Sequence, residues 1–162
     1  MMKITPLVKG IIAGIMMIGF SVLLQYTGRA NSSGAQNLFY ALYAGAIAWT
    51  LIAYSRSANY TPSFGPIFGQ GFRCFIIITL ITVIFAGVNA SIHPEEKALA
   101  LKSYAEGLKK EGNRNEEEIK KMIASADKQF VMGQVYMAAF GTLIIGAAFT
   151  AAGAGLLLMK KK

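Results

Sequence analysis

Hydrophobic positions run unbroken along four stretches of this chain. Residues 10–26, 38–54, 74–92 and 135–159 contain no Asp, Glu, Lys or Arg. Crossing a hydrocarbon core of about 30 Å takes about 20 helical residues, within a range of roughly 17 to 25. Each stretch meets that length, so the pattern predicts four spans. The third is rich in Ile, Thr and Val, which raises the strand as a competitor. Membrane strands alternate apolar and polar positions over about 10 residues. The run from Phe75 to Phe85 (FIIITLITVIF) does not alternate. A helix also satisfies its own backbone hydrogen bonds in lipid. The first stretch follows basic residues as a secretion signal would. The region from Tyr26 to Ala30 offers no small-x-small cleavage site, so a retained helix is expected.

Between the third and fourth spans, residues 93–130 follow a different pattern. Pro94 opens a helix at a position where a missing N–H costs nothing, and Glu95 and Glu96 complement the positive helix start. Leu101, Tyr104, Ala105 and Leu108 fall at i, i+3, i+4 and i+7, one apolar face. Gly112 and Asn113 are stop residues. Asn115 restarts the helix as an N-cap, with Glu118 completing a variant capping box. Ile119, Met122, Ile123, Ala126 and Phe130 then form a second apolar stripe. Nothing but Gly133 interrupts the pattern afterwards, so one helix is expected from about Glu116 to Met159, roughly 65 Å long at 1.5 Å per residue. The two stripes fit an antiparallel hairpin outside the membrane. Leu101, Tyr104, Leu108, Ile119, Met122 and Ile123 are then either its own interior or a docking face for a partner.

Two further patterns bear on packing. Residues 55–72 mix Pro62, Pro66, Gly65, Gly69 and Gly71 with Tyr60, Phe64, Ile67, Phe68 and Phe72. That segment reads as too apolar for a solvated linker and too broken for a helix. An interfacial turn through Gly69, Gly71, Phe72 and Arg73 is expected, since aromatic rings favour the headgroup level. Small residues recur at fourfold spacing: Gly10 and Gly14, Ala41 and Gly45, and Ala147, Ala151 and Gly155. Such stripes let helix backbones approach closely, within one bundle or between chains.

Charge refines the picture. The chain carries 16 Lys+Arg against 8 Asp+Glu, a net +8, yet only 15% of residues are charged and 54% are hydrophobic. Soluble domains carry about 25% charged residues. All eight acids lie within 95–127, and eight basic residues between Lys97 and Lys128 balance them. The excess is Lys3, Lys9, Arg29, Arg56, Arg73 and the Lys160, Lys161, Lys162 tail, which punctuates the spans. That distribution excludes a nucleic-acid binder. With four spans, seven of those eight charges fall on the side of the termini and only Arg29 on the other. The positive-inside rule then places both termini in the cytoplasm.

The chemical inventory is thin. None of the four stretches holds an ionisable group that would mark an ion path, and Thr79, Thr82, Thr142 and Thr150 read as back-bonding to their own helices. His93, the only histidine, with Glu95 and Glu96 does not make a catalytic or metal set. Cys74 beside Arg73 reads as structural. No catalytic, cofactor or metal site is expected.

The Lys-plus-Gly first span, the turn Gly69-Gln70-Gly71-Phe72 and the Pro94-led loop ending in Asn115-Glu116-Glu117-Glu118-Ile119 resemble the domain of unknown function 4199 family. The resemblance covers nearly the whole chain. Members often carry an acid where Gln70 stands. The resemblance implies a small four-span protein of a bacterial inner membrane, mostly from Bacteroidota, and an accessory role in cell-envelope glycan or lipid handling.

The expectation is thus an all-α membrane protein, a four-transmembrane-helix bundle with an extracytoplasmic helical hairpin, forming one integral membrane domain over 1–162. Its expected function is a non-catalytic accessory or scaffold subunit of an inner-membrane complex. Its partners would be membrane lipids and another inner-membrane protein or a second copy of itself. The alternative is a small oligomeric transporter or flippase-like protein, which requires a polar or lipid-sized cavity between spans.

Overall fold

The computed structural model describes residues 4–28, 33–112 and 115–159. Lys3, Arg29, Asn113 and the Lys160–Lys162 tail lie outside the described residues. The described residues form five helices and no strand: α1 (Pro6–Tyr26), α2 (Ser33–Ser55), α3 (Phe64–Ile92), α4 (Pro94–Glu111) and α5 (Glu116–Met159). All but α4 are long and apolar enough to cross a membrane by length and composition. Their outer faces stay apolar. Ile15, Ile84, Ile144 and Leu156 are each more than 60% exposed, as expected for side chains that face lipid instead of water.

Helix ends follow local chemistry. Thr5 caps α1, its Oγ1 accepting the Val8 N–H at 3.4 Å, and Pro6 follows in the first turn. Pro94 opens α4, which has Glu95 and Glu96 in its first turn and Lys109 and Lys110 in its last. Gly112 then takes the left-handed conformation, φ +67°, that ends many helices and disfavours a Cβ. At the start of α5 the capping box is reciprocal. The Glu118 N–H donates to Asn115 Oδ1 at 2.8 Å, and the Asn115 N–H donates to Glu118 Oε2 at 3.3 Å. Asn115→Ala is expected to destabilise this end by about 1 kcal/mol. Faster amide exchange at Glu118 would report it.

One sequence expectation fails here. Residues 64–72 are not a broken loop but the first turns of α3, so Gly69, Gly71, Phe72 and Arg73 are helical. Pro66 sits third in that helix, where the amide has no intrahelical acceptor to lose. Phe64, Phe68 and Phe72 stack along one face at centroid spacings of 5.6 and 6.5 Å. The four-residue spacing that brings those rings together is a helical one.

The chain divides into two compact units, Met1–Thr82 with Ala139–Lys162, and Val83–Ala138. In the first, Met17 of α1, Tyr43 and Ile47 of α2, Ile67, Phe75 and Ile78 of α3, and Ala154 of α5 form one buried cluster. Glycines set how closely the backbones approach. A Cβ at Gly10 would lie 2.6 Å from the Cys74 carbonyl oxygen, and one at Gly14 would lie 2.7 Å from Ile81 Cδ1. A Cβ at Gly71 would overlap Thr150. Tyr43 Oη donates to the Thr142 carbonyl at 2.9 Å, tying α2 to α5. In the second unit, Leu108, Ile119 and Ala90 are buried, and Lys97 Nζ lies 2.8 Å from Asp127 Oδ1.

Candidate functional site

The structure distributes the sequence-selected residues unevenly. Gly10 and Gly14 lie in tight helix contacts, and Ala147 and Ala151 are half-buried. Ala41 and Gly45 are exposed, and no atom lies within 4 Å of the Cβ position of Gly45 or Gly155. On the docking face, Leu108 and Ile119 are 3% and 6% exposed, so neither can meet a partner without unfolding its unit. Leu101, Met122 and Ile123 are half-buried, and only Tyr104 is exposed. Thr82 and Thr142 bond back to Ile78 and Ala139 as expected. The buried Thr150 hydroxyl has no hydrogen-bond partner among the described residues, so it does not bond back to its own helix.

A cavity of about 510 Å³ in the first unit brings together residues that no sequence motif joined. Its walls come from the start of α1, the end of α2, the connection after Ser55, and Gln70 of α3. Lys9 is on its lining and is only 5% exposed. The sequence reading placed Lys9 on a flank; it is instead inside α1. Lys9, Ala13 and Met17 are all buried and follow one another at fourfold spacing, so the lysine heads the packed stripe of that helix. The pair Thr5-Pro6 was the cue: a capping residue and a first-turn proline start the helix before Lys9, not after it.

Around Lys9 the lining is aromatic and polar. Its Nζ lies 5.3 Å from the centroid of the Trp49 ring, within cation–π range. Thr50 turns its hydroxyl away to the Ala46 carbonyl at 3.0 Å. Tyr54 shapes the next wall. Its Oη accepts the Thr61 N–H at 3.2 Å and its ring meets Tyr60 edge-on at 5.4 Å, which folds the connection back over the end of α2. That fold places Arg56, Ser57 and Asn59 on the lining. Ser57 Oγ is buried and has no hydrogen-bond partner among the described residues.

The electrostatics are one-sided. Residues 1–82 and 139–162 contain no Asp or Glu at all. Lys9 and Arg56 therefore share a cavity in a unit that holds no side-chain carboxylate. A buried charge without a partner is costly, by several kcal/mol even after relaxation. A cation–π contact returns only about 0.5–2 kcal/mol of that. The arrangement is chemically suited to hold an anion.

The remaining polar chemistry lies in the second unit. His93 Nδ1 lies 2.8 Å from Glu95 Oε1 on an exposed surface. The Glu95 backbone amide first, and the His93 side chain next, hold the Glu95 carboxyl below its ordinary value of 4.5. The depressed value means that the carboxylate favours the folded helix start above the unfolded pKa. The benefit disappears as pH falls through the folded one. An NMR titration should give a Glu95 midpoint below 4.5, and a midpoint at or above that value would refute the contact. Among the described residues no three His, Cys, Asp or Glu side chains could share a metal ion.

No curated protein and no solved structure matches this chain. A family model does match, over residues 9–160, and its description is protein of unknown function DUF4199. The chain, matched over nearly its whole length, belongs to the DUF4199 family.

Proposed function

We propose that this protein is a non-catalytic, multi-pass component of a bacterial inner membrane that takes part in cell-envelope lipid handling by holding an amphiphile in the Lys9 cavity. The observation that carries this reading is the position of the cavity. It lies at the ends of apolar helices, where a polar head would meet Lys9 and Arg56 while its chain lay along the exposed apolar flanks of α1 and α2. Interfacial Trp and Tyr side chains favour that depth, and Trp49 and Tyr54 line it. In this reading both termini are cytoplasmic, from seven basic residues close to the span ends on that side against Arg29 on the other, the charge-balanced loop of residues 93–130 being set aside. The cavity then opens toward the cytoplasmic leaflet, and α4 with the first turns of α5 forms a hairpin on the other side. A cavity at one end favours holding a lipid over conducting it from leaflet to leaflet, as a flippase-like protein would.

Extraction into polymer nanodiscs without detergent, followed by lipid mass spectrometry, tests the proposal. One lipid class should be enriched over the bulk membrane and retained through purification. Retained lipid that mirrors the bulk composition would sink it.

A second reading, a scaffold subunit in a larger membrane complex, is favoured by Ala41 and Gly45, which are exposed among the described residues, with open space at the Cβ position of Gly45. Gly45→Leu should then leave the isolated protein stable but abolish co-purification of the partner or second copy. An unchanged set of co-purifying chains would remove that reading.

A further inference from the structure

We propose that the cavity around Lys9 is a phosphate-binding site, and that the phosphate belongs to the head of an anionic lipid or to free phosphate. With a lipid head the proposal rests on the amphiphile-holding reading and names the chemistry that reading leaves open, and with free phosphate it stands without that reading.

The charge balance comes first. Lys9 is buried at 5% exposure, and its ammonium faces the ring of Trp49. Its own unit contains no Asp or Glu to neutralise it. Arg56 adds a second positive charge to the same lining. No side-chain carboxylate of its own unit supplies a counter-charge, which is what an anionic ligand would bring.

The donors then select the anion. Lys9 presents an ammonium with three N–H groups, and Arg56 a planar fork suited to two oxygens of one group. Asn59 and Gln70 bring amide N–H groups to the lining, and Ser57 a buried hydroxyl without a partner. A carboxylate has two oxygens and one negative charge. A phosphate monoester or free phosphate offers up to two negative charges on three or more unesterified oxygens, so it answers two cations and several neutral donors together. A halide would leave most of a 510 Å³ cavity empty. The large volume also leaves room for the substituent that a phosphate ester carries.

The chain contains a single tryptophan, Trp49, placed 5.3 Å from the lysine nitrogen. Its fluorescence therefore reports on this cavity alone. The full-length protein in uncharged detergent would be titrated with inorganic phosphate, with a short-chain phosphatidic acid, and with the matching diacylglycerol, which lacks the phosphate. Native mass spectrometry counts bound molecules independently of the fluorescence. We expect saturable binding of one phosphatidic acid and at least tenfold weaker binding of diacylglycerol. Lys9→Gln and Arg56→Gln should each weaken phosphatidic acid binding at least tenfold. Gln70→Glu, which adds the missing negative charge from within, should do the same, and it keeps the test decisive should Lys9→Gln not fold. Inorganic phosphate that binds as tightly as the lipid identifies free phosphate as the source, and much weaker binding identifies the lipid head. Diacylglycerol bound as well as phosphatidic acid, with no effect of Gln70→Glu, would overturn the phosphate assignment but keep the amphiphile reading. Binding of none of the three would overturn both.

Discussion

Gly10→Val is expected to break the packing of α1 against α3 and to remove most of the monodisperse protein from a detergent extract. The Cβ position of Gly10 lies 2.6 Å from the Cys74 carbonyl oxygen and 3.0 Å from Ile77 Cβ. Neither neighbour can turn away: one is backbone and the other is the first atom of its side chain. The helices must separate, and overpacking of this kind costs about 1–3 kcal/mol, occasionally more. Between apolar helices in lipid there is little hydrophobic gain to offset the loss, because lipid tails are as apolar as the side chains. The geometry also ranks other glycines. The atoms nearest Gly14 all belong to the Ile81 side chain, Cδ1 at 2.7 Å and Cβ at 3.2 Å, and none is backbone, so Gly14→Val should be milder. Gly45 meets nothing within 4 Å, so Gly45→Val should melt near the wild type. Thermal scans followed by size exclusion would read the order. Equal stability for the Gly10 and Gly45 variants would contradict the close approach of α1 and α3.

Leu108→Ala should have the largest effect in the second unit. Leu108 is 3% exposed, and Leu→Ala at such sites costs about 2–5 kcal/mol. The other interactions there are weaker. The Lys97–Asp127 pair is half-exposed and contributes at most about 1 kcal/mol. The Asn115 cap contributes about the same. The apolar contact therefore dominates, and the variant should show faster amide exchange throughout 94–111 and new tryptic cleavage at Lys102, Lys109 or Lys110. Tyr104→Ala, at an exposed position, is the control and should leave both unchanged. Protection in 94–111 that survives Leu108→Ala would mean that the burial of Leu108 does not hold this unit together.

Much of the helical layout was legible because its causes are local. Long charge-free runs, Pro94, Gly112 and the Asn115–Glu118 box act within one or two turns, and α4 and α5 begin and end where those residues place them. Two misreadings came from treating local breakers as decisive. Pro66 and Gly71 argue against a helix only while their surroundings are unknown. The proline falls in a first turn, and Gly71 is where Thr150 of another helix packs. The same holds for Lys9. As a charged residue before an apolar run it reads as a flank, although Thr5-Pro6 already start the helix before it.

From the amino-acid order alone came the number of long apolar helices, the single continuous α5, and the segregation of every side-chain carboxylate to 95–127. Those are properties of spacing and sign, which need no partner residue. Which small residues pack was decided by tertiary contact: Gly10 and Gly14 are closely approached, whereas Gly45 is open. The cavity was decided in the same way. Lys9, Trp49, Arg56 and Gln70 are separated by up to 61 positions, and only helix packing brings them to one lining. Backbone hydrogen bonding is satisfied within a few residues, but the environment of a charge depends on everything within several ångströms of it. Chain order does not list those neighbours, so a lysine that reads as the flank of an apolar run lies buried on the lining of a cavity.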